Sequence, residues 1–235
     1  MKRNNIVCMI PARIGSQRFK QKNLALINDK SVLEWGIDAA RNSKVFDKII
    51  VNGDHDLFNQ IAKKRNVDFF FRDKSLGSSD TKSDEVIMNF IDNFECEFVV
   101  WFNAIAPLQQ IIDIKSFSKE LLTNNYQSLF AVKTLQIQTL YEKKPLNFSY
   151  EKKFEKTQDL KPPTIFVPSL MGWNAKFFRE FYSKNGHGFF CGKTGYVEVS
   201  LLSTLVIKNE EDFRMIRSIV EGFKTFDNPI AYYTN

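Results

Sequence analysis

The chain has 235 residues, of which 43% are hydrophobic and 26% are charged. This balance is typical of a globular protein with a buried core, and the length predicts one large domain over residues 1–235. The net charge of +6 favours an anionic partner such as a nucleotide, but because the lysines are scattered rather than clustered we expect no nucleic-acid partner.

The cysteine and histidine content excludes two kinds of small-protein framework. Cys8, Cys96 and Cys191 are far apart, and His55 and His187 stand alone. We therefore expect neither a disulfide framework nor a structural zinc site. We do expect a reducing, cytoplasmic location. The apolar run near the start of the chain is far too short to span a membrane and lacks the layout of a secretory signal.

The first half of the sequence alternates between strand-like and helix-like segments. Strands are predicted at Asn5–Ile10, Lys48–Val51, Val67–Phe71, Phe98–Phe102 and Ser128–Val132. Helices are predicted after a Ser31 cap with Leu33, Ile37 and Ala40 inward, after an Asp54 cap with Leu57 and Ile61 inward, around Val86, Phe90 and Ile91, and at Ile114–Leu122. This alternation predicts an α/β fold with a mostly parallel, Rossmann-like sheet and helices on both faces.

The alternation then breaks at a polar, lysine-containing and proline-containing segment. Tyr141–Pro168 is predicted to be a protruding arm, because a segment of this length without its own core often serves an interface or a lid. Regular structure is expected again near Trp173–Tyr182 and Val197–Ile207. A helix from Asn209 to about Phe223 then closes the domain.

The loop after the first predicted strand carries the strongest chemical signal. It contains Arg13, Gly15 and Ser16, and Lys22 follows shortly after. Ligands of open α/β sheets bind beyond the carboxyl ends of the strands, where backbone N–H groups and cations can surround phosphates. The loop is neither a Walker A sequence nor a GxGxxG fingerprint, which disfavours a P-loop hydrolase and a dinucleotide dehydrogenase.

The sequence resembles the acylneuraminate cytidylyltransferases, also called CMP-sialic-acid synthetases, from Asn5 to about Phe213. The matching motifs are Pro11-Ala12-Arg13-x-Gly15-Ser16, Lys22-Asn23-Leu24, Lys48–Val51 with Asp54 and Asp56, Phe71-Arg72, Leu76 with Asp80-Thr81-x-Ser83, and Asn103–Leu108. The resemblance implies a sheet of the nucleotide-diphospho-sugar transferase type. It also implies attack of an acidic, nonulosonic-type sugar on the α-phosphate of CTP, which forms a CMP-sugar and releases pyrophosphate.

The resemblance also implies the roles of individual residues. The phosphates would be held by Arg13, Ser16 and Lys22, with Arg13 and Lys22 as the catalytic cations, and Gly15 and Gln17 would also bind the nucleotide. The cytidine or ribose would be contacted by Asn23, Arg72, Ser83 and Asn103, and the sugar by Gln158. Three of these residues also have a purely structural interpretation. Asn23 would cap a turn, Arg72 would pair with Asp73 or another surface carboxylate, and Ser83 would cap a helix.

The sequence departs from the family at the metal site. The family's two metal-binding aspartates fall on Val206 and Lys208 here, just before Glu210-Glu211-Asp212. Magnesium needs oxygen ligands, so we do not expect the usual magnesium site. The family's loop lysine is replaced by Gln17, and its Arg-Gln pair by Thr157-Gln158.

Three functional hypotheses remain open. The chain is an active cytidylyltransferase with altered metal handling, a homologue that binds a nucleotide or a partner without transfer, or a different protein that shares the fold alone. Because the family reaches across to a second subunit with a segment that corresponds to Tyr141–Pro168, the resemblance implies a homodimer. The acceptor sugar is not defined by the sequence.

Overall fold

The structure is a computed structural model that describes residues 5–78, 80–223 and 232. Its strands are β1 (Ile6–Ala12), β2 (Leu26–Ile27), β3 (Lys30–Ser31), β4 (Lys48–Gly53), β5 (Asp68–Phe71), β6 (Phe98–Phe102), β7 (Ser128–Thr134), β8 (Leu140–Tyr141), β9 (Lys144–Pro145), β10 (Thr164–Asn174) and β11 (Thr194–Glu198). Its helices are α1 (Val32–Ser43), α2 (Asp56–Lys64), α3 (Ser83–Asn93), α4 (Ile111–Thr123), α5 (Ala175–Asn185) and α6 (Glu210–Gly222).

A seven-stranded sheet in the order β11-β7-β10-β6-β1-β4-β5 forms the centre of the fold. Neighbouring strands are parallel except at β10, which runs antiparallel to both β6 and β7. The predicted α/β fold with a mostly parallel sheet is therefore confirmed. The strands predicted from apolar runs lie within one or two residues of β1, β4, β5, β6 and β7.

Strand β1 is apolar throughout because helices cover both faces of the sheet. Ile6, Cys8 and Ile10 pack in the core cluster on one face. Val7 and Met9 pack in the cluster on the other face, beside α3 and α5. A strand buried on both faces reads as a continuous apolar run, and β1 therefore holds a fixed position for the loop that follows it.

The start of α1 was predicted correctly, whereas the start of α2 was not. Ser31 caps α1 in a capping box with Glu34, whose side chain accepts the Ser31 N–H at 2.8 Å. At α2 the cap is His55, whose Nδ1 accepts the Leu57 N–H at 3.2 Å. Asp54 instead accepts the Ile14 N–H at 2.9 Å, so a contact distant in sequence displaces the predicted cap.

This displacement changes which side of α2 faces the core. Leu57, predicted to point inward, is 39% exposed, and Phe58 and Ala62 are buried in its place. Ile61 does pack against the core cluster, as predicted. The inward stripe of the helix is thus centred one residue later than the sequence indicated.

The excursion from the sheet begins and ends earlier than the predicted arm Tyr141–Pro168, because β7 ends at Thr134 and the sheet resumes at Thr164. Strand β10 pairs Thr164 with Thr134 of β7, although residues 164–166 are exposed. Trp173–Tyr182, where regular structure was expected to resume, comprises the end of β10 and most of α5. The excursion therefore covers residues 135–163, and it contains the small β8–β9 hairpin.

The prediction for the end of the chain is correct at α6 and only partly correct before it. Helix α6 begins at Glu210 with Asn209 as its cap. In the predicted Val197–Ile207 element, β11 ends at Glu198 and a 3-10 turn occupies Leu202–Thr204. No helix of the described residues has the length and apolar character needed to cross a membrane.

Candidate nucleotide site

A cavity of about 470 Å³ opens where β1, β5 and β6 end. Eight of the residues predicted from the sequence line it, and these are Arg13, Ser16, Gln17, Lys22, Asn23, Arg72, Ser83 and Asn103. They come from positions as far apart as the first loop and the end of β6, so the fold brings the predicted set together. Gly15 lies in the same loop without lining the cavity, and Gln158 does not line it either.

The first loop is held in place by hydrogen bonds that join its backbone and side chains to neighbouring residues. The Ile14 N–H donates to Asp54 Oδ1 at 2.9 Å, and the Ser16 N–H donates to the Ile14 carbonyl at 3.0 Å. Arg13 Nη1 donates to the Ser78 carbonyl at 3.3 Å, and Asn23 Nδ2 donates to the Arg13 carbonyl at 3.4 Å. The loop therefore reaches the cavity with its backbone already ordered, which reduces the entropy lost on binding.

Lys22 is a buried cation in this wall. The residue is 9% exposed, and its Nζ donates to the carbonyl oxygen of Ile207 at 2.9 Å. Burial, followed by the charges of Arg18 and Arg13, lowers the pKa of Lys22 to about 8, with Asp212 acting in the opposite direction. A bound anion would stabilise the protonated form of this side chain.

Arg72 is also buried, at 3% exposure. Its backbone N–H donates to the Gly53 carbonyl at 2.7 Å, which fixes the backbone just after β5. Burial lowers the pKa of Arg72, and Asp54 opposes that shift. Arg72 does not pair with Asp73, which instead caps the next turn by accepting the Ser75 N–H at 2.7 Å.

The buried Nε of Arg72 has no hydrogen-bond partner among the described residues, and neither has Oδ1 of Asn23. A buried donor or acceptor left unpaired costs roughly 1–3 kcal/mol. Both side chains line the cavity. The wall of the cavity therefore contains one unpaired donor and one unpaired acceptor, both covered by neighbouring atoms.

Asn103 and Ser83 form the side of the cavity toward β10 and α3. Asn103 Nδ2 donates to the Pro168 carbonyl at 2.9 Å, and its N–H donates to the Ser169 carbonyl at 2.9 Å. Ser83 is the first residue of α3, and Lys82 precedes it as the cap residue without a side-chain cap bond. Ser83 is thus not the helix cap that its sequence position also allowed.

Four further polar or aromatic residues line the cavity without having been assigned a role from the sequence: Arg18, Ser78, Thr81 and Trp101. Trp101 lies inside the apolar run of β6, which the sequence predicted as a strand without a role for this residue. Side chains alternate along a strand, so Trp101 shares a face with Asn103, and this was the available signal. The buried Nε1 of Trp101 has no partner among the described residues.

The residues at the family's metal positions do not fit a magnesium site. Val206 is buried and offers no ligand atom, and Lys208 is exposed and cationic. Asp212, the nearby carboxylate, accepts the N–H groups of Lys208 at 2.7 Å and Asn209 at 3.1 Å through Oδ2. Within residues 5–78 and 80–223, no group of three or more His, Cys, Asp or Glu side chains is placed to hold a metal ion.

Gln158, predicted to contact the sugar, is exposed on the 3-10 turn Thr157–Asp159. The turn is held by Gln136, whose Nε2 donates to the Thr157 carbonyl at 2.7 Å and the Leu160 carbonyl at 3.0 Å. Gln158 does not line the cavity of the same chain. Its role stays a prediction.

The comparisons with known proteins agree with the geometry. The family model described as Cytidylyltransferase matches residues 7–188. Post-translational flagellin modification protein B of Campylobacter coli is 26% identical over 237 residues, covering 93% of this chain and 96% of that protein. Pseudaminic acid cytidylyltransferase of Campylobacter jejuni is 29% identical over 131 residues, covering 53% of this chain and 56% of that protein.

Solved structures show the same fold. A CMP:2-keto-3-deoxy-manno-octonic acid synthetase complexed with CTP superposes with a TM-score of 0.70 at 11% identity, covering 94% of this chain and all of that one (100%). The 4-diphosphocytidyl-2C-methyl-D-erythritol synthase of Anaerococcus prevotii gives a TM-score of 0.67 at 14% identity, covering 93% of this chain and 96% of that one.

Proposed function

The chain belongs to the cytidylyltransferase family, and we propose that it transfers the cytidylyl group of CTP to a hydroxyl group of an acidic, nonulosonic-type sugar. The observation that carries this proposal is the cavity at the ends of β1 and β6, which gathers Arg13, Lys22 and Arg72 around one volume. Relatives named for pseudaminic and N-acylneuraminic acid support an acidic sugar as the acceptor.

In the proposed reaction the sugar oxygen attacks the α-phosphorus of CTP, and the bond between the α-phosphorus and the bridging oxygen breaks to release pyrophosphate. Arg13 and Lys22 hold and neutralise the phosphates, together with the loop residues Gly15, Ser16 and Gln17. Both cations donate to backbone carbonyls before the substrate arrives, so charge that develops on the phosphoryl oxygens meets an already ordered environment.

The opposite side of the cavity would hold the nucleoside. Arg72 and Asn23 line this side, and a cytosine ring presents acceptors and a donor to such polar side chains. Ser83 and Asn103 complete this side, and Gln158 is proposed as a contact to the sugar. These assignments rest on position in the cavity and on the family pattern.

Pyrophosphate release tests the proposal directly. Purified protein is given CTP with each of a panel of acidic sugars, with and without magnesium, and pyrophosphate is measured. We expect release with at least one sugar, and Arg13→Ala should lower the rate by about 100-fold, as expected for loss of a donor to the reacting phosphates. Arg214→Ala is the matched control, because Arg214 is an exposed arginine on α6 outside the cavity.

A second candidate, nucleotide binding without transfer, is favoured by Val206 and Lys208 at the family's metal positions. On this alternative, CTP or CMP raises the melting temperature, because a ligand at about 100 times its Kd adds about 2.7 kcal/mol of stability. No pyrophosphate would then be released with any acceptor or metal. Absence of both effects would leave only the shared fold.

The proposal extends to assembly and location. We propose that residues 1–235 act as one domain and form a homodimer through the segment first delimited as 141–168. Its aromatic residues Tyr141, Tyr150 and Phe154 are 68%, 71% and 75% exposed in the isolated chain, and aromatic residues are enriched at interfaces. Three free cysteines support a reducing, cytoplasmic location.

A further inference from the structure

Four basic side chains line the nucleotide cavity, and they are Arg13, Arg18, Lys22 and Arg72. None of the described residues that line it is Asp or Glu. A nucleoside triphosphate carries roughly four negative charges near neutral pH, since terminal phosphates ionise with a second pKa of about 6. The lining charge therefore matches that of a triphosphate without a divalent cation.

The carboxylates within residues 5–78 and 80–223 do not neutralise these cations through ion pairs. None of the four forms an ion pair with a carboxylate of the described residues. The nearest acidic influences are Asp54 on Arg72 and Asp212 on Lys22. Both carboxylates already accept backbone N–H groups and lie outside the cavity lining.

The four charges also repel one another. Arg18 and Arg13 lower the pKa of Lys22, and Arg13 lowers that of Arg72. Like charges that are held together at a cost indicate a site built for an opposite charge. A bound anion relieves this repulsion.

Arg18 is the cation whose side chain is least committed. Arg13 donates to the Ser78 carbonyl and Lys22 to the Ile207 carbonyl. Arg18 is exposed at the cavity wall, and its guanidinium makes no hydrogen bond or ion pair with a described residue. It also follows Gln17, the position at which the family resemblance placed a lysine, so the loop keeps a mobile cation one residue later.

We propose that this chain binds its nucleoside triphosphate free of divalent cations, and that Arg18 is a phosphate-binding residue that supplies the charge a metal ion would otherwise provide. The inference rests on the proposed binding of CTP and specifies the form of that substrate. It follows from two facts together, namely a lining with four cations and no carboxylate, and a metal position occupied by Val206 and Lys208.

Titration calorimetry with CTP tests both parts. The wild-type protein is titrated in EDTA and again in excess MgCl₂, alongside Arg18→Ala, Arg18→Lys and Lys20→Ala. Lys20→Ala is the matched control, since Lys20 is exposed in the same loop and does not line the cavity. All variants are first compared by melting without nucleotide, and because both positions are exposed we expect unchanged stability.

We expect wild-type protein to bind CTP in EDTA with an affinity within about threefold of that in MgCl₂. Arg18→Ala should weaken binding in EDTA by about tenfold or more, the effect of losing a charged hydrogen bond. Arg18→Lys should recover part of this loss because it keeps the charge, and Lys20→Ala should stay within about twofold of wild type.

Each contrary result overturns a separate claim. Binding in MgCl₂ but not in EDTA would overturn the metal-free form and leave the proposed function intact. Equal binding by wild type and Arg18→Ala would overturn the role of Arg18. Absence of CTP binding under both conditions would overturn the inference together with the proposed function on which it rests.

Discussion

Lys22 Nζ donates a 2.9 Å hydrogen bond to the carbonyl oxygen of Ile207, 185 residues further along the chain. The contact joins the loop after β1 to the segment that precedes α6. Because Lys22 is also buried among cations, its pKa falls to about 8. The ammonium that faces the proposed phosphates therefore titrates close to neutral pH, unlike an exposed lysine.

We expect the affinity for CTP to fall as the pH rises above about 8. The anion binds the protonated form of Lys22 and raises its pKa, so binding above this pH takes up a proton, and each further pH unit costs about tenfold in affinity until the pKa of the complex is reached. Calorimetry between about pH 7 and pH 9, in buffers of different ionisation enthalpy, measures both effects. In Lys22→Met the affinity should be lower at pH 7 and nearly flat above it. A wild-type profile as flat as that of the variant would contradict this role.

Trp101 should report nucleotide binding through its fluorescence. It lines the cavity with an unpaired Nε1, whereas Trp35 and Trp173 already donate to the carbonyls of Ile27 and Phe189. CTP should change the emission of the wild-type protein, because the Trp101 ring lines the cavity, and Trp101→Phe should remove most of that change. Trp35→Phe should keep the signal. A change that survives in Trp101→Phe would place the ligand elsewhere.

The exposed aromatic residues of the 135–163 excursion should control assembly. Phe148 packs its ring against those of Tyr150 and Phe154, at 5.8 and 6.3 Å between centroids, so these rings form one apolar surface. Light scattering at micromolar concentration should give a dimer. The double variant Tyr150→Asp and Phe154→Asp should weaken dimerisation by about 100-fold with an unchanged circular dichroism spectrum.

The control for assembly is Ile112→Asp, which changes an equally exposed apolar residue (69%) on α4. We expect this variant to remain dimeric. A wild-type protein with the mass of a monomer would rule out the proposed homodimer, and a dimer that tolerates both arm substitutions would move the interface to another surface.

Gly36 allows α1 to approach the turn that carries Asn103. A Cβ atom at this position would lie 2.7 Å from Ala104 Cβ and 2.8 Å from Ala104 Cα. Gly36→Ala should therefore lower the free energy of unfolding by about 1–3 kcal/mol, as measured by urea denaturation. Gly222→Ala serves as the comparison, because its added Cβ meets nothing within 4 Å. Equal stability of the two variants would show that the turn yields without cost.

The sequence predicted those elements whose signal is local. Strand β1 is apolar at almost every position because both of its faces are covered, and Ser31 with Glu34 forms the capping box its spacing indicates. Arg13 and Lys22 were identified because the loop after a first parallel strand is where such folds bind phosphates. Both line one cavity because they belong to the same segment after β1.

The elements that were missed depend on contacts distant in sequence. Strand β10 starts with three exposed residues and contains Pro168, so its first half does not read as a strand, and its antiparallel insertion leaves no local pattern. Asp54 looks like a helix cap, yet it accepts an N–H from the first loop. Trp101 was missed because it lies in an apolar run, and the alternation of side chains that places it on the same face as Asn103 was the only sequence signal for its position.

Because of the antiparallel strand β10, the two sides of the cavity are supported by different strands. The loop with Arg13 rests on β1, whereas Asn103 is held by the carbonyls of Pro168 and Ser169, at an irregularity in the pairing of β10 with β7. The excursion 135–163 leads directly into this strand. Exchange of residues 135–174 between relatives should therefore change which molecule contacts Asn103, while the phosphate-binding loop after β1 stays the same. One replaceable segment thus allows the same fold to make different products.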